Sequence, residues 1–262
     1  MRPLVTLSLI AHSTGILAQG VFLPPSTTFQ SGRLKTVVIT ELATGVAISA
    51  GLYFLWYRKH PRSHFHFFND NAEWLQMDKM GHATTAYNVA AIQYDLMRWS
   101  GVNNNTSIAI GGLTALGYMS IIEIFDGFSS KWGFSKGDMF ANIFGAALFA
   151  AQQKGWNQQR ISLKWSFHLS PYAQYYPAEL GSGFFSRILK DYNGQTYWIS
   201  FNAASFLPAK SGFPYWLNLS FGYGAEGMIG ARTNPTVIDG KPIPAFTRYR
   251  QFYFAPDANL YT

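Results

Sequence analysis

The hydrophobic period changes at Gly155, and that change divides the chain into a helical part followed by a sheet part. Over residues 160–169, Ile161, Leu163, Trp165, Phe167 and Leu169 fall on one face. Ser162, Lys164, Ser166 and His168 fall on the other. This two-residue alternation predicts a strand, because successive side chains of an extended chain point to opposite sides. Residues 197–206, 216–228 and 248–254 read as further strands, separated by turn residues at 191–194, 207–208, 212–214 and 239–240. A closed barrel in lipid needs about eight strands. Four therefore predict a small antiparallel sheet, packed on the helices or on a membrane.

Upstream of Gly155, residues 37–57 carry one charge, Glu41. Such a run is long enough to cross a bilayer, which takes about 20 residues; a core helix in a membrane-docked bundle fits it nearly as well. Residues 75–99 are amphipathic. Residues 107–124 are apolar up to Glu123, with Gly111, Gly112 and Gly117 available for close helix packing. Residues 136–154 are apolar with small residues at Ala141, Gly145, Ala146 and Ala147. The expected fold is α+β: a four-helix, membrane-associated bundle over 35–155 and an antiparallel β region over 156–262. Residues 1–19 read as an export signal, with Arg2 before an apolar stretch that ends at Ala18. An uncleaved anchor is the alternative, and 20–34 form a Pro/Ser/Thr linker.

Composition supports contact with lipid. Charged residues are 13% of the chain, about half the usual ~25%, and aromatics are 17%. Few charges exclude disorder and leave little with which to cover a water-facing surface. Trp, Tyr and Phe suit a membrane interface. The net charge of +7 is not in one block; Arg33, Lys35, Arg58, Lys59 and Arg62 bracket the apolar run at 37–57. That pattern argues for a membrane lipid or membrane-protein partner and against nucleic acid. The sequence contains no cysteine, which removes disulfides, thiolate metal sites and Cys nucleophiles.

Acidic residues concentrate in the most apolar half: Asp70, Glu73, Asp78, Asp95, Glu123, Asp126 and Asp138. Asp78 and His82, four apart, share a helix face, with Lys79 adjacent. Glu123 and Asp126 are three apart on the next helix. Asp138, Asn142 and Gly145 line one face of the last. Charged groups on apolar helices turn inward, because lipid exposure costs about 2.5–3.5 kcal/mol or more. Two readings follow. In one, Asp78, His82, Glu123 and Asp138 line a site, with Lys79, Tyr87, Asp126 and Asn142 as binding residues. That set could hold a divalent cation or act as general acid and base. In the other, the charges pair across helices and only fix packing, with Ser135 or Asp138 capping the last helix. No cofactor is expected; a divalent cation is the ligand that the residue types fit. His60, His64 and His66 read as surface histidines, residues 65–68 with Trp74 as an interfacial aromatic belt, and the glycines at 222–227 as strand kinks.

The phrases HFFNDNAEWLQMDKMGHATTAY (66–87), EIFDGFSSKWGFSKGDMFANIFGA (123–146), QQRISLKWSFH (158–168) and LKDYNGQTYWISFN (189–202) resemble an uncharacterised envelope family of Bacteroidota-type bacteria, grouped with YfiM-type predicted periplasmic lipoproteins. A shorter echo, D-K-x-x-H, then E, then D-x-x-x-N-x-x-G, resembles VanZ-like membrane proteins and falls on Asp78, Lys79, His82, Glu123, Asp138, Asn142 and Gly145. The first resemblance implies an exported envelope protein, helical and then β; related chains continue into more strand where this one reaches residues 250–257. One departure is that no Cys follows the export signal to carry a lipid. The expected role is structural or interactive, on the periplasmic side of the outer membrane, with the inner membrane as the alternative location. The competing expectation is an enzyme or binding protein for a lipid, glycan or other envelope molecule.

Overall fold

The computed structural model describes residues 23–55 and 57–258, so the export signal expected at 1–19 lies outside the described residues. Four long helices come first: α1 (Ser31–Leu55), α2 (Met77–Trp99), α3 (Asn104–Gly127) and α4 (Lys136–Trp156). Side-chain caps set two of their starts. Asn103 accepts the Thr106 N–H at 3.0 Å, and Ser135 accepts the Asp138 N–H at 3.1 Å. Ser135, not Asp138, is thus the cap of α4. Two-residue strands β1 (Phe67–Phe68) and β2 (Phe134–Ser135) pair in parallel and bring the loop before α2 to the start of α4.

Helices α2, α3 and α4 bury a shared core of Ala83, Tyr87, Ala90, Ala115, Ala141, Ala146 and Phe149. Small residues let them approach closely. A Cβ on Gly145 would sit 2.1 Å from the Ala83 carbonyl oxygen, and one on Gly111 2.6 Å from that of Ala90. Gly112 and Gly117, by contrast, face open space. The expected four-helix bundle is a three-helix bundle with α1 on its flank. Helix α1 touches α3 where Tyr118 donates to the Glu41 carbonyl at 3.1 Å. Its Ile39, Leu42 and Val46 are 67%, 66% and 71% exposed. It is apolar on all sides, so it has no distinct stripe to bury against a partner.

After α4 come β3 (Ile161–Phe167), α5 (Pro177–Leu180), α6 (Phe184–Lys190), β4 (Gln195–Asn202), β5 (Leu217–Glu226), β6 (Val237–Ile238), β7 (Lys241–Pro242) and β8 (Tyr249–Ala258). The four long strands form one antiparallel sheet in the order β3-β4-β5-β8, with Leu163, Ile199, Phe221 and Phe254 in one cross-strand row. Helices and sheet are joined directly. Gln152 Nε2 and Asn88 Nδ2 donate to the carbonyls of Ile161 and Leu163 at 2.9 and 3.1 Å.

The sheet has inverted polarity. Its serine- and asparagine-rich face is buried, with Ser162, Ser200, Asn218 and Ser220 at 0–3% exposure. Its apolar face packs toward α2 near Leu163, Trp165, Tyr197, Tyr223 and Ala225. Elsewhere that face exposes Ile199, Phe221, Phe252 and Phe254. The cause is curl. Lys164 on β3 pairs with Asp257 on β8, although a flat sheet would set those strands roughly 14 Å apart. The Trp198 ring covers Gly222, where a Cβ would lie 2.7 Å from it, and donates to Ser166 Oγ at 2.9 Å.

Candidate functional site

Three consecutive non-glycine residues before α2 are left-handed: Trp74, Leu75 and Gln76, at φ 47°, 50° and 65°. Each such residue costs about 1–2 kcal/mol, so the turn persists only because its surroundings hold it. The Trp74 N–H donates to the Ala231 carbonyl at 2.7 Å, Gln76 Nε2 to that of Asn71 at 2.7 Å, and Tyr223 to that of Leu75. Arg250 donates to Gln76 Oε1 at 2.6 Å. The turn aims the first residues of α2 at the ends of α3 and α4. Strain of this kind concentrates at functional sites.

There the acidic residues converge. His82 Nε2 lies 3.8 Å from Asp78 Oδ1, 3.6 Å from Glu123 Oε1 and 3.9 Å from Asp138 Oδ1. Its Nδ1 meets Asn142 Oδ1 at 3.1 Å. Lys79 Nζ bridges Asp70 at 2.6 Å and Asp138 at 2.7 Å, with Asp78 3.5 Å away. Glu123 is 1% exposed; its Oε2 accepts the Ser135 N–H at 3.0 Å, while its Oε1 has no hydrogen-bond partner among the described residues. Ser135 Oγ donates to Asp70 Oδ1 at 2.7 Å. From the β region Tyr192 donates to Asp78. Asp78 is the most exposed member of the group, its side chain a quarter open to solvent.

Burial and mutual repulsion tune these groups. Burial first, then the Asp78 carboxylate, push the Asp138 carboxyl up to about 8, against the pull of His82 and Lys79. Burial alone would lower His82, but the carboxylates of Asp78, Asp138 and Glu123 outweigh it and raise the imidazole above its ordinary value. Burial opposes the Lys79 charge too, and Asp78 and Asp138 reverse that, so the ammonium is held protonated. Asp70, despite burial, is held below the usual carboxylate range by hydrogen bonds from Asp138, Lys79 and Ser135. Burial and Asp78 push the Tyr192 hydroxyl far up, which keeps it a donor. Four carboxylates thus share one lysine and one histidine. The set suits holding a cation or moving a proton.

Not every residue singled out in the sequence lies in this cluster. Asp78, Lys79, His82, Glu123, Asp138 and Asn142 come together. Asp126 sits one turn beyond Glu123 and accepts from Tyr57 at 2.9 Å. Tyr87 is fully buried in the bundle core and reaches the Ile161 carbonyl at 3.1 Å, so it joins α2 to the sheet instead of lining the cluster. Glu73 pairs with Arg232 at 3.1 Å. His66 faces the His64 carbonyl at 3.1 Å, and His60 packs edge-on against Trp132. Among the described residues, the one His/Asp/Glu group with ligand atoms all within 4.8 Å is Asp78, His82 and Asp138. Sequence reasoning offered Ser135 as a cap but missed its bonds to Asp70 and Glu123, and it missed the role of Tyr192 altogether. Tyr192 read as part of a turn, and nothing local ties it to a helix more than a hundred residues earlier.

The architecture defines an α+β protein in which a bundle of small-residue helices and a curled sheet enclose an acid-rich centre. Residues 66–154 match the model of a family described as "Predicted periplasmic lipoprotein (DUF2279)". The matched stretch runs from the approach to β1 almost to the end of α4, so it holds every member of the centre except Tyr192. It agrees with the resemblance to YfiM-type predicted periplasmic lipoproteins and with an exported envelope protein. No curated protein and no solved structure matches the chain.

Proposed function

We propose that this exported envelope protein docks on a membrane as a structural or interaction component, and that its buried acid-rich centre ties the helical and β parts into one binding unit. The observation that carries the reading is its inside-out polarity. Serines, asparagines and the Lys164–Asp257 pair are covered, while large apolar side chains face outward. The outward set spans Leu42 and Val46 on α1, Leu113 on α3, Phe140 and Phe144 on α4, and Phe221, Phe252 and Phe254 on the sheet. Exposed apolar surface of this extent marks a lipid or membrane-protein contact. Helices 31–54 and 104–127 are long and apolar enough to cross a membrane. Membrane fractionation tests the docking. The protein is expected to stay with membranes through alkaline carbonate, and release by high salt alone would overturn the reading. Phe252→Asp combined with Phe254→Asp is expected to weaken the association of a fragment lacking α1, read by flotation with phosphatidylethanolamine–phosphatidylglycerol vesicles.

A second reading makes the centre a site acting on, or binding, an envelope lipid or glycan. It is favoured by the unpartnered Glu123 Oε1, the strained turn before α2 and the partial opening at Asp78. Asp78→Asn and His82→Gln separate the two. Loss of a cellular phenotype with fold and melting temperature intact supports a working site. Unfolding of both variants supports a purely structural centre.

A further inference from the structure

We infer that the centre holds one divalent transition-metal ion of the Mn²⁺ or Zn²⁺ class, bound by His82 Nε2 and carboxylate oxygens of Asp78 and Asp138, with Glu123 Oε1, 3.6 Å from that nitrogen, moving in as a further ligand. The inference rests on the reading of this cluster as a working site and names its ligand.

The first argument is the orientation of the imidazole. Nδ1 is within hydrogen-bond reach of the Asn142 side-chain oxygen. Donation there fixes the ring orientation and directs Nε2 at the acids, where an ion that displaces its proton would meet it. A metal-bound histidine almost always has such a partner on its other nitrogen. The second argument is distance. Nε2 stands 3.6–3.9 Å from one oxygen of each of three carboxylates. Those separations are too long for hydrogen bonds. They lie a few tenths of an ångström above the roughly 3.0–3.5 Å between two ligands of one ion with bonds near 2.0–2.2 Å. The third is the buried Glu123 Oε1, which accepts no hydrogen bond among the described residues and has His82 Nε2 only at 3.6 Å, while its sister oxygen is fixed by the Ser135 N–H. An oxygen buried without a hydrogen bond is costly, and an ion seated between it and Nε2 removes that cost.

Charge and donor type narrow the ligand. With His82 neutral as a ligand, the four carboxylates of Asp70, Asp78, Glu123 and Asp138 face the single charge of Lys79, so a dication cuts the enclosed charge from −3 to −1. Lys79 pairs Asp70 with Asp138 and serves as an outer partner that orients the Asp138 carboxylate. One imidazole with three carboxylates suits Mn²⁺ or Zn²⁺; the softer Cu⁺ prefers sulfur, and the chain has no cysteine.

The test uses the full chain, purified in mild detergent, stripped with EDTA and titrated with Mn²⁺ or Zn²⁺ alone. One ion per chain by elemental analysis is expected, with a Mn²⁺ paramagnetic resonance spectrum distinct from that of the aqueous ion. The melting temperature should climb with free ion concentration, as mass action requires. Glu123→Gln keeps an acceptor for Ser135 and is expected to weaken binding at least tenfold with an unchanged circular dichroism spectrum; His82→Gln should do the same. Glu73→Gln, outside the centre, should leave affinity unaltered. Absence of stoichiometric binding at millimolar metal overturns the inference, as does binding that Glu123→Gln leaves intact. Loss of phenotype in these variants without any ion bound would sink the metal and leave the working site standing. Metal bound, with no phenotype in the variants, would do the reverse.

Discussion

The bundle and the sheet each enclose a polar centre, and the two are built on opposite principles. In the sheet, Asp257 receives Lys164, Ser200 and Ser220 on one carboxylate oxygen, and one acid balances one base. In the bundle, acids exceed bases, and among the described residues a buried Glu123 oxygen accepts no hydrogen bond. A satisfied, neutral network is what a fold needs to fix its own shape. A surplus of buried charge serves the fold badly, so it points to something outside the chain. The sheet centre therefore reads as structure and the bundle centre as a place prepared for a ligand.

The largest expected effect tests that contrast directly. Asp257→Ala leaves the Lys164 ammonium buried without its partner and should cost about 3–5 kcal/mol in thermal or denaturant unfolding. Removing both charges, as Lys164→Met with Asp257→Leu, should recover most of that loss. Glu123→Gln in EDTA-treated protein should behave oppositely. It removes one charge from a like-charged group and should change stability by no more than about 1 kcal/mol, toward greater stability. A Glu123→Gln variant as unstable as Asp257→Ala would erase the distinction between the two centres.

Next in size comes Gly145→Val. Its Cβ would lie 2.1 Å from the backbone oxygen of Ala83, so α4 must move away from α2. Overpacking of this kind costs about 1–3 kcal/mol. The same displacement draws Asp138 and Asn142 from His82, so metal-dependent stabilisation should fall further than stability itself. An equal substitution at Gly112, which faces open space, should leave the centre untouched.

The centres should also respond to pH in opposite directions. Asp257 is held below its ordinary value; burial raises it, but the Lys164 and serine hydrogen bonds outweigh burial. A lowered carboxyl stabilises the fold above its unfolded value near 3.8, and that contribution is lost as pH falls through the folded value. Asp138, raised to about 8, and His82, also raised, behave inversely. They stabilise the fold while protonated; in the metal-free bundle the Asp138 contribution is whole below its unfolded value of 3.8 and is lost progressively as pH rises from there to about 8, with Lys79 and the carboxylates of Asp70, Asp78 and Glu123 facing the pair. Melting curves of EDTA-treated protein between pH 5 and 9 check this (a range set by those values). A flat profile, or one unchanged in Asp138→Asn, would count against the assignment.

Much of this contrast was legible in the sequence. Six of the residues in the bundle centre could be found because a charge on an apolar helix has few places to go, and three- and four-residue spacings put them on common faces. The four strands were found because alternation survives without knowledge of the fold. Three features were not legible. The flanking position of α1 follows from what its neighbours do not offer, and its own residues say only that it is apolar. Which face of the sheet is buried depends on curl, and curl depends on Lys164 reaching Asp257 across two intervening strands. The left-handed run at Trp74, Leu75 and Gln76 contains no glycine or asparagine, the residues that advertise such a conformation. It is imposed by Ala231, Tyr223 and Arg250 from the far side of the chain.

The smallest expected effect concerns the hydrogen bond by which Tyr192 of the β region enters the bundle centre. Tyr192 rests its ring near Trp74, with centroids 5.5 Å apart, and donates its hydroxyl to Asp78. Tyr192→Phe keeps the ring and removes the donor. A hydrogen bond to a charged group contributes about 1.5–3 kcal/mol, and partial access of water to Asp78 brings the loss toward the lower figure or beneath it, about 1 kcal/mol. If the centre serves only to join the two parts, stability falls by that amount and nothing else changes. If it is a working site, the donor also restrains Asp78, the member of the group most open to solvent. Metal affinity or cellular activity should then drop by more than the melting temperature implies. The ratio of those two losses, measured on a single hydroxyl, separates a fastening from a site.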